Sequence, residues 1–230
     1  MLTKKKKLSK KTIKEDKLVT FYYKAYGYFD ENKSRILLYG GALVILVLAI
    51  FYYYRAKSED NVKAGVELAK AIDLYDSGSF LESIEGRASD NTVGLKQIVA
   101  DYGSTENGET AKIYLANAYS MLGKSDEAFK YYEEYDGDIP IFNAAALAGQ
   151  ASYYASQNNP DKAANLYEKA STVSKVNVLN SDYLLQAGIN YLKAGDASQA
   201  KETFDKIKKN YPGTEAYRQV DKYLAEAQMG

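Results

Sequence analysis

The sequence contains no cysteine, no histidine and no tryptophan, and only three prolines among 230 residues. Without cysteine the chain has no disulfide framework, no thiolate nucleophile and no cysteine-ligated metal. Without histidine it lacks the commonest general base, the Ser-His-Asp triad and the usual zinc ligands. The composition therefore predicts a protein that is not an enzyme and has no cofactor, metal or small-molecule substrate. An active site built only from carboxylates or lysine remains the alternative.

Charge is distributed unevenly along the chain, although the formal net charge is zero. Residues 1–35 contain eleven Lys or Arg and four acidic residues, whereas residues 36–230 contain nineteen basic and twenty-six acidic residues. A domain that binds nucleic acid needs basic residues clustered on its folded part. The basic segment here is a terminal tail and the rest is mildly acidic, so we expect no nucleic-acid partner.

Residues 36–54 form an uncharged, mostly apolar run of nineteen residues. A helix of this length, with a rise of about 1.5 Å per residue, spans roughly 28 Å, close to the hydrocarbon thickness of a bilayer. Basic residues flank the run on both sides, and Tyr52, Tyr53 and Tyr54 suit the headgroup boundary. The run predicts a transmembrane helix. The alternative is a buried core helix of a soluble protein.

The distribution of Lys and Arg around the run predicts its orientation. Eleven basic residues precede it, and only Arg55, Lys57, Lys63 and Lys70 follow within the next twenty residues. The positive-inside rule then places the N-terminal tail in the cytoplasm and the C-terminal body across the membrane. The tail is long for a signal peptide and no small-residue cleavage site follows the run, so we expect a retained anchor.

The tail itself divides into two parts. Residues 4–17 form a basic run that we expect to be solvated and disordered. Apolar residues then recur at helical spacing, at Leu18, Phe21, Tyr22, Ala25, Tyr26 and Phe29. This pattern predicts a short amphipathic helix on the inner membrane surface, with membrane lipid as its partner. The alternative is a docking helix for a cytoplasmic partner.

Internal repetition is the main feature of the C-terminal half. Three segments align on Ala128, Ala163 and Ala200, at separations of 35 and 37 residues. Four further positions keep the same register: a small residue, an aromatic residue, a turn residue and a second aromatic residue. In that order they are Ala116, Ala151 and Gly188; Tyr119, Tyr154 and Tyr191; Gly123, Asn158 and Gly195; and Tyr132, Tyr167 and Phe204.

Pairs of antiparallel helices account for this pattern. Helices approach closely only where small side chains meet, and aromatic rings fill the space between neighbouring pairs. Turn residues that reach the left-handed region end the first helix of each pair, and Pro140 and Pro212 are expected to stop the second. We therefore predict an all-α solenoid of three repeats over residues 109–214, with a capping helix over residues 215–230.

Residues 55–108, between the apolar run and the repeats, are predicted to form a linking helix and a degenerate first hairpin. Neither Gly nor Pro occurs from Ala42 to Ala64, so we expect one unbroken helix over residues 33–75. Its buried side is expected to carry Val62, Val66, Ala69, Ile72 and Tyr75. Residues 78–91 are expected to form a loop.

The repeats resemble the tetratricopeptide repeat (TPR) consensus, although the consensus Trp is absent and Gln150 replaces a preferred apolar residue. The order of tail, span, linking helix and repeats over residues 18–230 resembles the YfgM-like family of single-pass TPR proteins, ancillary subunits of the Sec translocon in the bacterial inner membrane. This resemblance implies a periplasmic body whose partners are the translocon, periplasmic chaperones and nascent polypeptides. The segment FDKIKKNYPGTEAYRQVDKYL is also similar to TPR proteins of outer-membrane assembly and the cell envelope. That similarity implies the alternative of a structural tether.

The TPR resemblance further implies a protein-binding groove lined by the first helix of each repeat. The groove positions are Ile113, Asn117, Ser120, Met121, Ala148, Ser152, Leu185, Ile189 and Leu192. They are uncharged and become apolar toward the C-terminal end, and no Lys/Arg cluster is present to hold a terminal carboxylate. We therefore expect an extended apolar peptide or a partner's helix as the ligand. The alternative for Ile189 and Leu192 is packing against the neighbouring repeat.

Overall fold

A computed structural model of the chain describes the backbone of residues 10–229 and the side chains of residues 17–225. Within this part of the chain the fold is helical apart from one two-stranded ribbon. The chain divides into two compact units, Met1–Ala56 and Lys57–Gly230. The second unit contains all the helix pairs of the predicted repeats.

The first helix, α1 (Lys10–Asp76), is unbroken, which confirms the helix predicted over residues 33–75. The predicted amphipathic segment at residues 18–29 is part of this helix and does not form a separate short helix, since the polar residues that follow it contain no helix breaker. Residues 10–17 of the predicted disordered run are also helical, and residues 4–9 lie outside the described residues.

The apolar run at residues 36–54 lies within α1 and is exposed along its whole length. Apart from neighbouring residues and the helix's own backbone, no described atom lies within 4 Å of the position that a Cβ would take at Gly40 or Gly41. Of the helices that the structure describes, α1 is the one long and apolar enough to cross a membrane. Among the described residues, no other element buries the run, in contrast to the core helix of the alternative.

The C-terminal turns of α1 belong to the second unit and pack there through a face that includes Ile72 and Tyr75 of the predicted side, both half-buried, but not its other residues. Ala64, Leu68, Ala71 and Leu74 are buried, whereas Val62 and Val66 are exposed. This face is buried because its small residues let α1 approach the segment around Asn107 closely. The Asn61 side chain accepts a hydrogen bond from the Asn107 backbone N–H at 2.8 Å, and Asn107 Nδ2 donates to the Asn61 carbonyl, also at 2.8 Å. A Cβ at Gly65 would lie 2.8 Å from Asn107 Nδ2, so a larger residue would have to displace that amide.

Residues 78–91 are not the loop that the sequence predicted. They contain helix α2 (Phe80–Glu85), strand β1 (Gly86–Arg87) and a 3₁₀ turn (Ala88–Asp90), and strand β2 (Thr92–Val93) follows. The strands are antiparallel, with Gly86 opposite Val93 and Arg87 opposite Thr92. A Cβ at Gly94 would lie 2.3 Å from the Ile84 carbonyl oxygen, which explains the glycine where the ribbon returns to α2. Helix α3 (Leu95–Tyr102) completes this region.

Seven consecutive helices form the solenoid. They are α4 (Glu106–Met121), α5 (Ser125–Glu133), α6 (Pro140–Ser156), α7 (Pro160–Val173), α8 (Asn180–Lys193), α9 (Ala197–Asn210) and α10 (Glu215–Met229). The turn residues within the first three pairs have positive φ, at 72° for Gly123, 57° for Asn158 and 82° for Gly195, as predicted. Pro140 has a different role from the one expected. It is the first residue of α6, where its missing N–H costs nothing, and α5 has already ended at Glu133.

Small residues lie where the helices cross, as the repeat alignment predicts. Ala128, Ala163 and Ala200 are buried, and so are Ala116 and Ala151. At the remaining small position, a Cβ on Gly188 would meet the Phe204 ring at 2.3 Å. Gly149 accommodates the Tyr132 ring in the same way. These aromatic rings therefore occupy the space that a larger residue on the facing helix would fill.

We predict that Ala163→Leu will destabilise the solenoid, because the Ala163 side chain is fully buried in α7. Inserting methylenes into a packed core typically costs about 1–3 kcal/mol. Thermal unfolding of the detergent-solubilised full chain, followed by circular dichroism, measures the effect. Ala69→Leu is the matched control, since Ala69 is exposed on α1 and its replacement should leave the melting temperature near that of the parent. Equal melting of the two variants would contradict the repeat register.

Candidate protein-binding cleft

Two of the predicted groove residues lie in the interior. Ile113 is 1% exposed and packs in a core cluster with Ile98 of α3. Leu185 is 5% exposed and packs in a second cluster that includes Val220 of α10. The first hairpin and the capping helix therefore cover the two ends of the predicted groove, and neither side chain presents a surface to a partner.

Three more predicted residues are half-buried. Ile189 and Leu192 pack against the cluster that contains Leu185. Ala148 packs beside Tyr183 of α8. Ile189 and Leu192 therefore pack between repeats, which was the alternative to contact with a ligand in the groove. The apolar C-terminal end of the groove is part of the solenoid core.

The remaining predicted residues lie near a cleft between α4, α5 and α6. Ser120 and Ser152 line it, and Met121, next to Ser120, is 63% exposed. The other residues lining this inter-repeat cleft are Ser125, Ala128, Phe129, Tyr132, Gly149, Tyr153 and Ser156. The structure therefore brings together Ser120 and Ser152 from neighbouring repeats. It adds three aromatic residues that the groove prediction did not include.

The aromatic wall of the cleft consists of Phe129 from α5 and Tyr153 from α6. Their rings stack with centroids 4.2 Å apart and planes 25° apart. The Tyr153 hydroxyl donates to Asp126 Oδ1 at 3.0 Å, and this hydrogen bond, together with partial desolvation, raises the pKa of Tyr153. Tyr153 is therefore neutral at physiological pH and held in one orientation.

The floor of the cleft is the buried side chain of Tyr132. Its hydroxyl donates to Asn117 Oδ1 at 2.6 Å, and Gln150 Nε2 donates to its backbone carbonyl at 3.0 Å. Burial raises the pKa of Tyr132 well above its ordinary value. Asn117, predicted to contact a ligand, instead holds this floor residue in place. Gln150, which departs from the repeat consensus, joins α6 to the end of α5.

The chemistry of the inter-repeat cleft is that of a binding surface. Its hydroxyl groups can exchange hydrogen bonds with the backbone of an extended peptide, and its ring wall offers an apolar contact. No ionisable acid or base lines it apart from tyrosine. Within the residues that the structure describes, no group of three or more acidic side chains is placed to hold a metal ion. Nothing in the cleft is arranged for general acid–base or nucleophilic chemistry.

A polar network joins the second and third repeats. Glu168 of α7 accepts hydrogen bonds from Lys206 Nζ of α9 at 2.8 Å and from the Tyr191 hydroxyl of α8 at 2.9 Å. Burial alone would raise the pKa of Glu168, but the two donors and the charge of Lys206 outweigh it, so the pKa is lowered. Glu168 is therefore ionised at neutral pH and connects three helices through one carboxylate.

The groove positions were assigned only to the first helix of each repeat, which leaves out Phe129, and within α6 the position of Tyr153 was not among them. Phe129 is on the second helix of its pair, and Tyr153 precedes the consensus aromatic Tyr154. The doubled tyrosine was the available signal. A second aromatic residue beside one that fills the core position must point to a different side of its helix.

Comparison with known proteins supports the same fold. The Tetratricopeptide repeat family profile matches residues 182–214, which cover most of α8 and all of α9. Two crystal structures of nearly identical TPR-like repeats of a kinesin light chain from Podosopora anserina, one of them a point variant, are similar with TM-scores of 0.55 and 0.53. Each is 16% identical, covers 74% of this chain, and is itself covered over 86% and 87% of its length.

No curated protein sequence matches the chain. At 16% identity the structural likeness shows the fold alone, an all-α TPR-like solenoid. TPR solenoids are scaffolds for protein–protein interaction, and no enzyme family is indicated. The chain is thus similar to binding scaffolds in its repeats.

We predict that the Glu168 network makes solenoid stability depend on pH. Because the folded-state pKa of Glu168 is below its unfolded value, its contribution is present above about pH 4.5 and is lost as the pH falls through the folded pKa. Glu168→Gln should therefore melt below the parent at neutral pH, and the difference should shrink in acid. Melting curves over this range measure it. Glu127→Gln at an exposed acid is the control, and a pH-independent difference for Glu168→Gln would contradict the assignment.

Proposed function

We propose that this protein is a membrane-anchored scaffold whose TPR-like solenoid binds other proteins. The observation that carries the proposal is the exposure of the whole apolar run at residues 36–54 in a chain whose remaining described helices pack as a solenoid. An apolar helix of this length that is left uncovered requires a nonaqueous environment, and a bilayer supplies it. The solenoid supplies the binding surface.

The charge distribution supports a direction for the anchor. Eleven basic residues precede the run, and the solenoid that follows it is mildly acidic. We therefore place residues 1–35 in the cytoplasm and the solenoid across the membrane, which in a bacterial inner membrane is the periplasm. The resemblance to YfgM-like proteins supports a role as an ancillary subunit of the Sec translocon, linking emerging envelope proteins to periplasmic chaperones. The alternative is a structural tether in cell-envelope or outer-membrane assembly machinery, which the C-terminal segment favours.

We predict that protease added to spheroplasts will digest the solenoid and spare the Lys-rich tail. The physical reason is the surplus of Lys and Arg before the run, which opposes transfer of the tail across a membrane. Antibodies against each end report the fragments. Lysed spheroplasts serve as the control, because both ends should then be digested. A solenoid that stays protected until lysis would refute the proposed orientation.

The inter-repeat cleft is the surface to which we assign partner binding. Of the predicted groove residues, Ser120, Met121 and Ser152 are exposed, whereas the apolar end packs in the core. A partner segment that enters the cleft would contact the Phe129–Tyr153 wall and exchange hydrogen bonds with the serines. Interfaces depend on a few such anchored aromatic contacts more than on total area.

We predict that Ser120→Arg combined with Ser156→Arg will abolish partner capture, because both positions are exposed at the cleft and the long side chains would fill it. Crosslinking in cells, followed by purification from solubilised membranes, measures capture. It also separates the two proposed roles, since translocon subunits or assembly-machinery subunits would be recovered. Ser198→Arg on α9 is the matched control.

Melting temperature must remain near that of the parent for the cleft variant to be informative. Replacing Ile189 and Leu192 with Ser would not meet this condition, because both side chains pack against the second core cluster. If the double arginine variant still captures the partner, the partner docks on a surface other than the cleft.

A further inference from the structure

The loop between α7 and α8 carries an exposed apolar patch. Val176 is 89% exposed and Val178 is 83% exposed, and Val173 and Leu179 on either side are also exposed. Single exposed apolar residues are common on protein surfaces, but four within seven positions form a contiguous patch that calls for an explanation. We refer to residues 173–179 as the valine loop.

The valine loop is held in one conformation by two buried asparagines. Asn177 Oδ1 accepts a hydrogen bond from the Leu179 backbone N–H at 3.0 Å, and Asn180 Nδ2 donates to the Ser174 carbonyl at 2.6 Å. Asn177 and Asn180 point inward while Val176 and Val178 point outward. The fold therefore presents the two valines on a fixed support.

Basic side chains accompany the valine loop. Lys169 at the end of α7, Lys175 within the loop and Lys209 at the end of α9 are exposed. In the part of the chain with described side chains, these three lysines form no ion pair. Lys206 Nζ bonds Glu168 at 2.8 Å, which places the ends of α7 and α9 side by side. Asp182 in the first turn of α8 is the nearest exposed acid in sequence. The acids Glu202 and Asp205 of α9 and Asp221 of α10 are already paired with other lysines.

The valine loop lies at the same edge of the second unit as residue 57, where the chain enters that unit. Asn61 bonds to Asn107 at the start of α4, and the Tyr75 and Tyr114 rings are 5.4 Å apart farther along. Residues 57–76 therefore run in the same sense as α4, and residue 57 lies toward the N-terminal end of α4. In a stack of antiparallel helices the valine loop, which precedes α8, is at the same edge as the starts of α4 and α6. The chain thus enters the solenoid unit at the edge that carries the valine loop.

We propose that the valine loop docks on an anionic lipid surface, with Val176 and Val178 inserted among the headgroups and Lys169, Lys175 and Lys209 near lipid phosphates. The inference rests on the proposed anchor, because the chain that follows the anchor enters the second unit at the edge with the loop. Apolar side chains on a rigid loop gain by leaving water, and each nearby lysine adds attraction to an anionic leaflet. Docking would give the solenoid a second contact with the bilayer.

The absence of cysteine makes this proposal directly testable, since one introduced cysteine is a unique labelling site. The full chain is reconstituted in nanodiscs of phosphatidylcholine, with or without phosphatidylglycerol. An environment-sensitive fluorophore is attached to Val178→Cys. Leu122→Cys, in the turn at the opposite edge, is the matched control, and Leu46→Cys reports on the anchor. Spin-labelled lipid is the quencher.

We expect a blue shift and lipid-dependent quenching at position 178 in discs with phosphatidylglycerol, weaker quenching without it, and none at position 122. Lys175→Gln combined with Lys209→Gln should lower the quenching at position 178. Quenching at position 46 without quenching at position 178 would overturn lipid docking and leave the anchor standing. Loss of quenching at position 46 would overturn both. A blue shift at position 178 that lipid does not quench would mean that protein covers the loop, and it would also reject the proposal.

Discussion

Close approach of antiparallel helices at small side chains is the constraint on which the solenoid depends. The Phe204 ring lies where a Cβ on Gly188 would be, and the Tyr132 ring occupies the same relation to Gly149. Alanine at 128, 163 and 200 keeps the second helix of each pair equally close. Each aromatic ring thus replaces the side chain that the facing helix lacks. The Gly188–Phe204 contact lies within the third pair, whereas the Tyr132–Gly149 contact joins the first pair to the second. Because such contacts also join neighbouring pairs, the loss of one crossing is expected to spread along the array.

The same constraint produces the inter-repeat cleft. Tyr132 fills the space over Gly149 and at the same time forms the floor that Asn117 and Gln150 hold in place. Serine hydroxyls and the Phe129–Tyr153 pair surround that floor. The small residues of α6 let the helices approach closely, and they leave the cleft between these side chains unfilled. The cleft is therefore a by-product of repeat packing, and Asp126 fixes the Tyr153 hydroxyl beside it.

The sequence predicted those features of the fold that depend on residues close together along the chain. The crossing alanines, the positive-φ turns and the unbroken helix through residues 33–75 follow from residue type and spacing. The buried face of residues 57–76 does not, because contact with Asn107 selects alanine and Gly65 over the larger valines. Burial of Leu185 depends likewise on α10 packing over α8 and α9, which a repeat alignment does not contain. Non-local contacts therefore account for the missed part of the groove.

The paired hydrogen bonds between Asn61 and Asn107 have a mechanical consequence. Both hydrogen bonds join the side of α1 to the first turn of α4, and they have the same length. Tension along residues 57–76 therefore acts on both bonds as shear. Neither bond can yield alone without moving the asparagine that supports the other. Load drawn along the helix from residue 57 therefore meets these two bonds before it reaches the buried face at Ala64, Leu68 and Ala71.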